Sequence, residues 1–332
     1  MLILTHDEVA GVLRDREAEL IELVAAAYRL HDEGRSAVPH STFLRFPDDD
    51  RNRIIGLPAF LGGDRPSAGM KWIASFPGNL EKGLERASSV IVLNELDTGR
   101  PIALLESSLI SAKRTAASAA LAAREFGPAG LSGAGFVGCG PINLEVLRFL
   151  LVAVPTLAEI TLFDLSPARA EAFAAKAREL SPTLKVAIAT DLDDAVGAHD
   201  ALSLATTAGT PHMDLSKARP GATVLHVSLR DLTVETILGA QNIVDDADHV
   251  CRERTSLHLA EQHTGGRDFV DGPIGGVLRG RVAFTRDTTR PLVYSPFGLG
   301  ALDMAVAEFV NAEAAARGLG TTVAGFLPGT TS

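Results

Sequence analysis

Gly138-Cys139-Gly140-Pro141-Ile142-Asn143 is a glycine turn with phosphate-binding chemistry, and an acid follows it at an informative distance. A Gly-X-Gly turn between an apolar strand and a helix brings bare backbone close to a pyrophosphate, and the helix N-terminus adds unpaired N–H groups. Asn143 stands where the third glycine of such turns falls. Ser132 to Val137 is small and apolar enough for a buried strand, Leu144 to Val154 keeps helical character up to Pro155, and Ala158 to Asp164 predicts a second strand. Asp164, 21 residues beyond Asn143, can accept hydrogen bonds from ribose hydroxyls and repel a 2′-phosphate. The turn predicts a dinucleotide site that takes NAD rather than NADP; the alternative is a strand-to-helix connection with no ligand.

Three charged residues could do chemistry beside such a site. Lys71 interrupts the apolar run Gly69 to Phe76, and a lysine buried there must meet a carboxylate or lose its proton. The same pattern fits a lysine on the wet face of a half-exposed strand. Arg114 sits among small residues in Ser111 to Ala117, where a cofactor or another segment can come close, or where it is an ordinary charged helix position. Asp231 follows the strand Thr223 to Leu229, and ligands of open α/β sheets bind beyond the carboxyl ends of strands. An aspartate there can orient water, take a proton or hold a cation; it can also simply cap the next helix.

The elements that must position these residues fall into two textures. Thr5 and Glu8 form a capping-box pattern ahead of helical spacing through Leu30. Ala37 to Leu105 then breaks into short runs, Arg53–Leu57, Gly69–Ser75, Ser88–Leu93 and Pro101–Leu105, which predict an antiparallel sheet. After an Ala-rich helix over Ser107 to Phe126, strands and helices alternate as in a doubly wound parallel sheet. Further strands are predicted at Leu184–Ala189, Ala201–Ala205, Asn242–Asp245 and Leu292–Ser295, and a closing helix at Ala301–Ala316 within a final segment 301–332. The fold class is α/β: a Rossmann domain over 116–300 and a separate α+β part over 1–115.

Composition narrows the partners. The 332 residues carry a net charge of −10 without a long basic cluster, which argues against nucleic acid and anionic membranes. Two cysteines fit a reducing cytoplasm, and the N-terminus has neither the basic region nor the apolar core of a signal peptide. No HExxH pair, Gly-X-Ser-X-Gly elbow or Gly-Lys-Ser/Thr phosphate loop is present, so neither a metal centre nor acyl transfer is expected.

Gly83-Leu84-Glu85-Arg86-Ala87-Ser88, Leu93-Asn94, Leu105 to Ser111 and Arg114-Thr115-Ala116-Ala117 together resemble the ornithine cyclodeaminase/μ-crystallin family across nearly the whole chain. Gly69 to Ile73, Val244-Asp245-Asp246, Cys251-Arg252-Glu253 and Gly318 to Thr322 are similar to its diaminopropionate-forming dehydrogenase branch. The resemblance implies a homodimer whose first domain, completed by the C-terminal helix, binds an amino-acid substrate and forms the subunit interface. It places substrate-carboxylate contacts on Lys71 and Arg45, and cofactor pyrophosphate and substrate contacts on Arg114. Gly138, Gly140, Pro141, Ile142 and Asn143 would serve the phosphates, Asp164 the ribose, and Thr206, Val227 and Ser228 the nicotinamide side; Asp231 and Lys71 would be catalytic.

The implied reaction is NAD-dependent oxidative hydrolysis of N-(2-amino-2-carboxyethyl)-L-glutamate to 2-oxoglutarate and L-2,3-diaminopropionate, for siderophore or peptide-antibiotic synthesis. Cyclodeaminases carry a glutamate where this chain has Ile55, which weakens ornithine cyclisation. Another amino- or imino-acid dehydrogenase, or a binding protein without turnover, completes the set of alternatives.

Overall fold

The computed structural model describes residues 1–329. The chain divides into two compact units: Met1–Arg114 with the segment from Leu299 onward, and Thr115–Gly298.

In the first unit an eight-stranded sheet runs in the order Thr321–Thr322, Leu2–Leu4, Pro101–Glu106, Ala87–Asn94, Ser67–Ser75, Asp49–Leu61, Ser36–Ala37, with Thr42–Phe46 also paired to Asp49–Leu61. All pairings are antiparallel except that of Leu2–Leu4 with Pro101–Glu106. Period-two alternation decides which side chains enter the core. Lys71, Ile91 and Leu105 are buried, and Met70, Trp72 and Val90 point the other way and are exposed. Helices His6–Leu13, Glu17–Asp32 and Gly300–Arg317 pack on strands of this sheet. Pro58 is tolerated inside Asp49–Leu61 because that strand has no outer partner between Gly56 and Phe60, so a missing donor breaks no ladder.

Left-handed residues break one predicted helix and end another at its expected place. The capping box at Thr5 and Glu8 forms, but the opening helix breaks into His6–Leu13 and Glu17–Asp32, because Asp15 takes a φ of 57° that no helix continues. The C-terminal helix spans Gly300–Arg317 and stops at Gly318, φ 65°, after which Thr321 and Thr322 pair with Ile3 and Leu2. The last three residues of the segment 301–332 lie outside the described residues.

The second unit holds eight parallel strands in the order Lys185–Ile188, Glu159–Phe163, Gly133–Val137, Ala201–Leu204, Thr223–His226, Leu292–Ser295, Gln241–Val244, Val270–Pro273. Taken in chain order, the first five lie 3-2-1-4-5, which is the Rossmann arrangement. The five strands Gly133–Val137, Ala201–Leu204, Thr223–His226, Gln241–Val244 and Leu292–Ser295 are buried throughout, as expected of a parallel sheet covered on both faces. Val270–Pro273 escapes sequence reasoning because Val-Asp-Gly-Pro has the composition of a turn. Among the described residues no helix is long and apolar enough to cross a membrane, and no group of three or more His, Cys, Asp or Glu side chains could hold a metal ion.

Candidate active site

Lys71 is 1% exposed, so its place on a wet strand face is excluded. Its ammonium donates to Asp303 Oδ2 at 2.6 Å and to Ser111 Oγ at 3.2 Å. Arg114, also buried, donates through Nε to Asp303 Oδ1 at 3.1 Å. One fully buried carboxylate thus bridges two cations and leaves the cluster with one net positive charge. Burial, reinforced by the charge of Arg114, pushes the Lys71 ammonium down to about 8, against the opposing pull of Asp303.

Asp303 is the residue that sequence reasoning missed. It enters on the first turn of Gly300–Arg317, where an acid also suits the helix dipole. Gly300 lets that helix end approach the strand Asp49–Leu61: a Cβ there would sit 3.0 Å from Ala59 Cβ and 3.4 Å from the Leu57 carbonyl. The available signal was a lone acid in the apolar run Gly298 to Val306, the same signal that singled out Lys71. Arg45 stands outside these bonds. It is exposed on Thr42–Phe46, with its guanidinium 5.3 Å from the centroid of the Phe43 ring.

In the second unit the glycine turn takes the geometry that phosphate binding needs. Gly138 has a φ of 89°, and a Cβ on it would lie 2.6 Å from the Ala205 carbonyl, so only glycine fits. A Cβ on Gly140 would meet nothing within 4 Å, so the turn is open on the side where backbone must approach a ligand. Gly140 caps the helix Pro141–Ala153 without a side-chain bond. Pro141 has no N–H, and those of Ile142 and Asn143 precede the first intrahelical bond, Leu144 N–H to Gly140 O. Asp164 accepts from the backbone N–H of Cys139 at 2.8 Å and of Ser166 at 2.9 Å, which fixes the acid at the mouth of the turn. These groups fit a dinucleotide: open backbone for the pyrophosphate and an anchored acid for a ribose. Cys139 is no nucleophile there, since burial and the charge of Asp164 push its thiol up to about 12.

The side chain of Asn143 is not available to a cofactor. Its amide donates to the carbonyls of Val137 at 3.0 Å and Gly138 at 2.7 Å, and its oxygen accepts from Ser203 Oγ at 2.7 Å. It ties the helix to two strands, the packing role that a third glycine serves by being small, and only its backbone N–H can face a ligand.

Asp231 is fully buried beyond the strand Thr223–His226. Thr206 and Ser228, expected on the nicotinamide side, both give their hydroxyls to this carboxylate. His212 Nε2 lies 3.2 Å from Oδ1 and His226 Nε2 3.3 Å from Oδ2. Burial alone would raise this carboxyl, but hydrogen bonding and charge from His226, with the two hydroxyls, outweigh it and hold the group well below the usual carboxylate range. Val227, half-buried beside this cluster, donates its N–H to Leu225 O at 3.0 Å. The N-cap of the following helix Val234–Gly239 is Thr233, so Asp231 is not spent on capping. Neither histidine was signalled by sequence spacing.

These geometries can be set against known proteins. N-((2S)-2-amino-2-carboxyethyl)-L-glutamate dehydrogenase of Staphylococcus aureus (strain NCTC 8325 / PS 47) is 25% identical over 329 residues, covering 97% of this chain and 98% of that protein. The crystal structure of CmnK superposes with a TM-score of 0.90 at 30% identity, covering 99% of each chain. An archaeal alanine dehydrogenase dimer with bound NAD superposes with a TM-score of 0.88 at 25% identity, covering 98% of this chain and 99% of that one. The sequence model of the Ornithine cyclodeaminase/mu-crystallin family matches residues 2–318, a span that takes in both the Lys71 cluster and the Rossmann sheet. This chain therefore belongs to the ornithine cyclodeaminase/μ-crystallin family.

Proposed function

We propose that this chain is an NAD-dependent oxidoreductase of the C–N bond of amino acids, and that it oxidises N-(2-amino-2-carboxyethyl)-L-glutamate to release 2-oxoglutarate and L-2,3-diaminopropionate. The observation that carries the reading is the pairing of an open, acid-anchored glycine turn with a separate buried cluster of net positive charge. The first suits a dinucleotide and the second a substrate carboxylate. The likeness to the Staphylococcus aureus dehydrogenase supports the substrate, and the NAD of the archaeal alanine dehydrogenase supports the cofactor.

When bound, NAD supplies the acceptor for the hydride on the glutamate Cα. Gly138 and Gly140 would let the backbone meet its pyrophosphate, with the N–H groups of Ile142 and Asn143 beside it and Asp164 on the ribose. Lys71 and Arg114 would hold a substrate carboxylate, with Arg45 as a further clamp, and the Asp231 cluster would handle the protons. Arg114 is also the arginine assigned to the pyrophosphate, and Thr206, Val227 and Ser228 would border the nicotinamide.

We further place the protein in the cytoplasm as a homodimer working in the supply of diaminopropionate for siderophores or peptide antibiotics. Both cysteines are free thiols. Met70, Trp72, Val90 and Ile102 are exposed on one sheet, and Trp72 lies opposite Val90, an apolar surface that a second copy would cover.

The test is to mix the purified chain with NAD and the secondary amine and follow NADH, 2-oxoglutarate and diaminopropionate together. Equimolar formation of all three is expected. The archaeal relative favours a second reading, oxidation of a simple amino acid. NADH from L-alanine with none from the secondary amine would establish that reading instead, and ammonia release without net NADH would restore cyclodeamination.

A further inference from the structure

Asp231 is the acid that the family pattern offers as proton acceptor, yet its carboxylate is already engaged on both oxygens. Oδ1 takes the Thr206 hydroxyl and faces His212 Nε2, and Oδ2 takes the Ser228 hydroxyl and lies 3.3 Å from His226 Nε2, which itself accepts the Asp231 N–H at 3.3 Å. Three side-chain partners already engage its two oxygens, and none of the residue is exposed. Complete burial and three hydrogen-bonding side chains suit this group to orient a base rather than to act as one.

His212 has the opposite character. Its side chain is 39% exposed, whereas that of His226 is 0% exposed. Its place beside Asp231 is set by backbone: the N–H groups of His212 and Met213 donate to Asp231 O at 2.9 and 3.1 Å, Thr233 N–H donates to Met213 O at 3.1 Å, and Met213 bridges Leu232. With Nε2 turned to Asp231, the other ring nitrogen, Nδ1, has no hydrogen bond among the described residues. An imidazole oriented by a buried carboxylate through one nitrogen and open at the other is the arrangement of a general base.

We propose that His212 moves the protons of the reaction through Nδ1 and that Asp231 is its positioning residue; this rests on the amine oxidation set out above. Nδ1 takes a proton from the secondary ammonium, freeing the nitrogen lone pair. The hydride then leaves Cα with its electron pair for the nicotinamide as that lone pair forms the C=N bond. The imidazolium, being exposed, returns its proton to solvent. Neutral again, it takes a proton from the water whose oxygen bonds the imine carbon, and gives it to the nitrogen as the C–N bond breaks. The remaining carbinol O–H proton ends on the departing amine. The balance is one hydride transferred, one water consumed and one proton released, with a ketone and an ammonium as products.

The charged or titratable groups about this imidazole are Asp231, His226 beyond it, and Asp214, whose carboxyl is held by Ser216 on the same segment. The test uses the full chain with saturating NAD and compares His212→Gln, Asp231→Asn and wild type. His212→Gln should keep its melting temperature and its calorimetric NAD affinity within about twofold, lose about 100-fold or more in kcat, lose the proton-dissociation limb of the kcat–pH profile, and recover activity with added imidazole. Asp231→Asn should retain that limb and lose about 10-fold or more in kcat with KM little changed, because the imidazole keeps Nδ1 but loses the anion that orients it. A His212→Gln kcat within threefold of wild type, its pH limb intact, overturns the role of His212. A wild type inert toward the amine, with its melting temperature and NAD affinity normal, overturns instead the amine oxidation and the proton role with it.

Discussion

Asp303 in the first unit and Asp231 in the second are both fully buried carboxylates, and the two are neutralised in opposite ways. Asp303 lies between two cations, Lys71 and Arg114, whereas Asp231 is held by two hydroxyls and the His212 imidazole, with His226 beside it. The first arrangement leaves positive charge over and fixes it, which is what a carboxylate ligand needs. The second stores negative charge against neutral donors and an exposed ring, which is what an oriented proton carrier needs. The same residue type yields a clamp in one place and an orienter in the other because its neighbours differ in formal charge.

The sharpest way to break the comparison is to remove each charge in turn. Asp303→Asn strands two buried cations side by side, and leaving buried charge uncompensated costs about 3 to 5 kcal/mol. Asp231→Asn loses an acceptor among neutral donors, at a cost of about 1 to 3 kcal/mol. Urea unfolding of both variants, followed by the fluorescence of the single tryptophan, Trp72 in the first unit, and by circular dichroism, measures this. Asp303→Asn should shift the tryptophan transition most. Equal losses would mean that the cations around Asp303 are not the feature that sets it apart. The Asp231 contribution has a pH signature as well. Its folded carboxyl is depressed, so its stabilisation is present above the ordinary carboxylate range near about 4 and is lost as pH falls below it.

The next effect separates clamp from orienter in activity. Lys71→Met removes the charge that would meet substrate and leaves Asp303 paired with Arg114 alone. Truncating one partner of a buried, hydrogen-bonded charge pair costs about 2 to 5 kcal/mol, so kcat/KM should fall about 100-fold. The loss should appear chiefly in KM, in contrast to the kcat effect expected at His212. A Lys71→Met enzyme with unchanged KM and reduced kcat would move Lys71 from binding to proton transfer.

The two clusters were unequally legible in the sequence. The glycine turn was readable because backbone geometry dictates residue type: Gly138 has a positive φ and a carbonyl against it, and Asp164 falls at the spacing that one strand and one helix impose. The parallel sheet was readable because strands buried on both faces must be apolar, although Val-Asp-Gly-Pro hid its last strand. Lys71 was visible as a charge in an apolar run, but its partner was not. Asp303 lies 232 residues away, on a helix whose contact with that strand is tertiary. His212 was invisible for a similar reason, since it meets Asp231 through backbone bonds between two loops and no period in the sequence marks them. Asn143 was legible as a departure from the glycine pattern, yet its purpose appeared only with Ser203 and the Val137 carbonyl around it.

The smallest predicted effect uses protons to tune the clamp alone. Burial and Arg114 push Lys71 down to about 8, so its charge is present at neutral pH and lost as pH rises through that value. Substrate affinity should therefore fall about tenfold from pH 7 to pH 9, at about tenfold per pH unit beyond the midpoint. The stability of the first unit should move the opposite way. An unfolded lysine keeps its proton up to about 10.4, so between about 8 and that value the unfolded chain binds more protons than the folded one, and stability rises with pH. Binding that weakens while folding strengthens, over one pH window, is not produced by general alkaline damage. Lys71→Met should lose both trends, and Asp231→Asn should keep both. A Lys71→Met variant whose residual substrate affinity still fell from pH 7 to pH 9 would assign the titration to another group and leave Lys71 a permanently charged clamp.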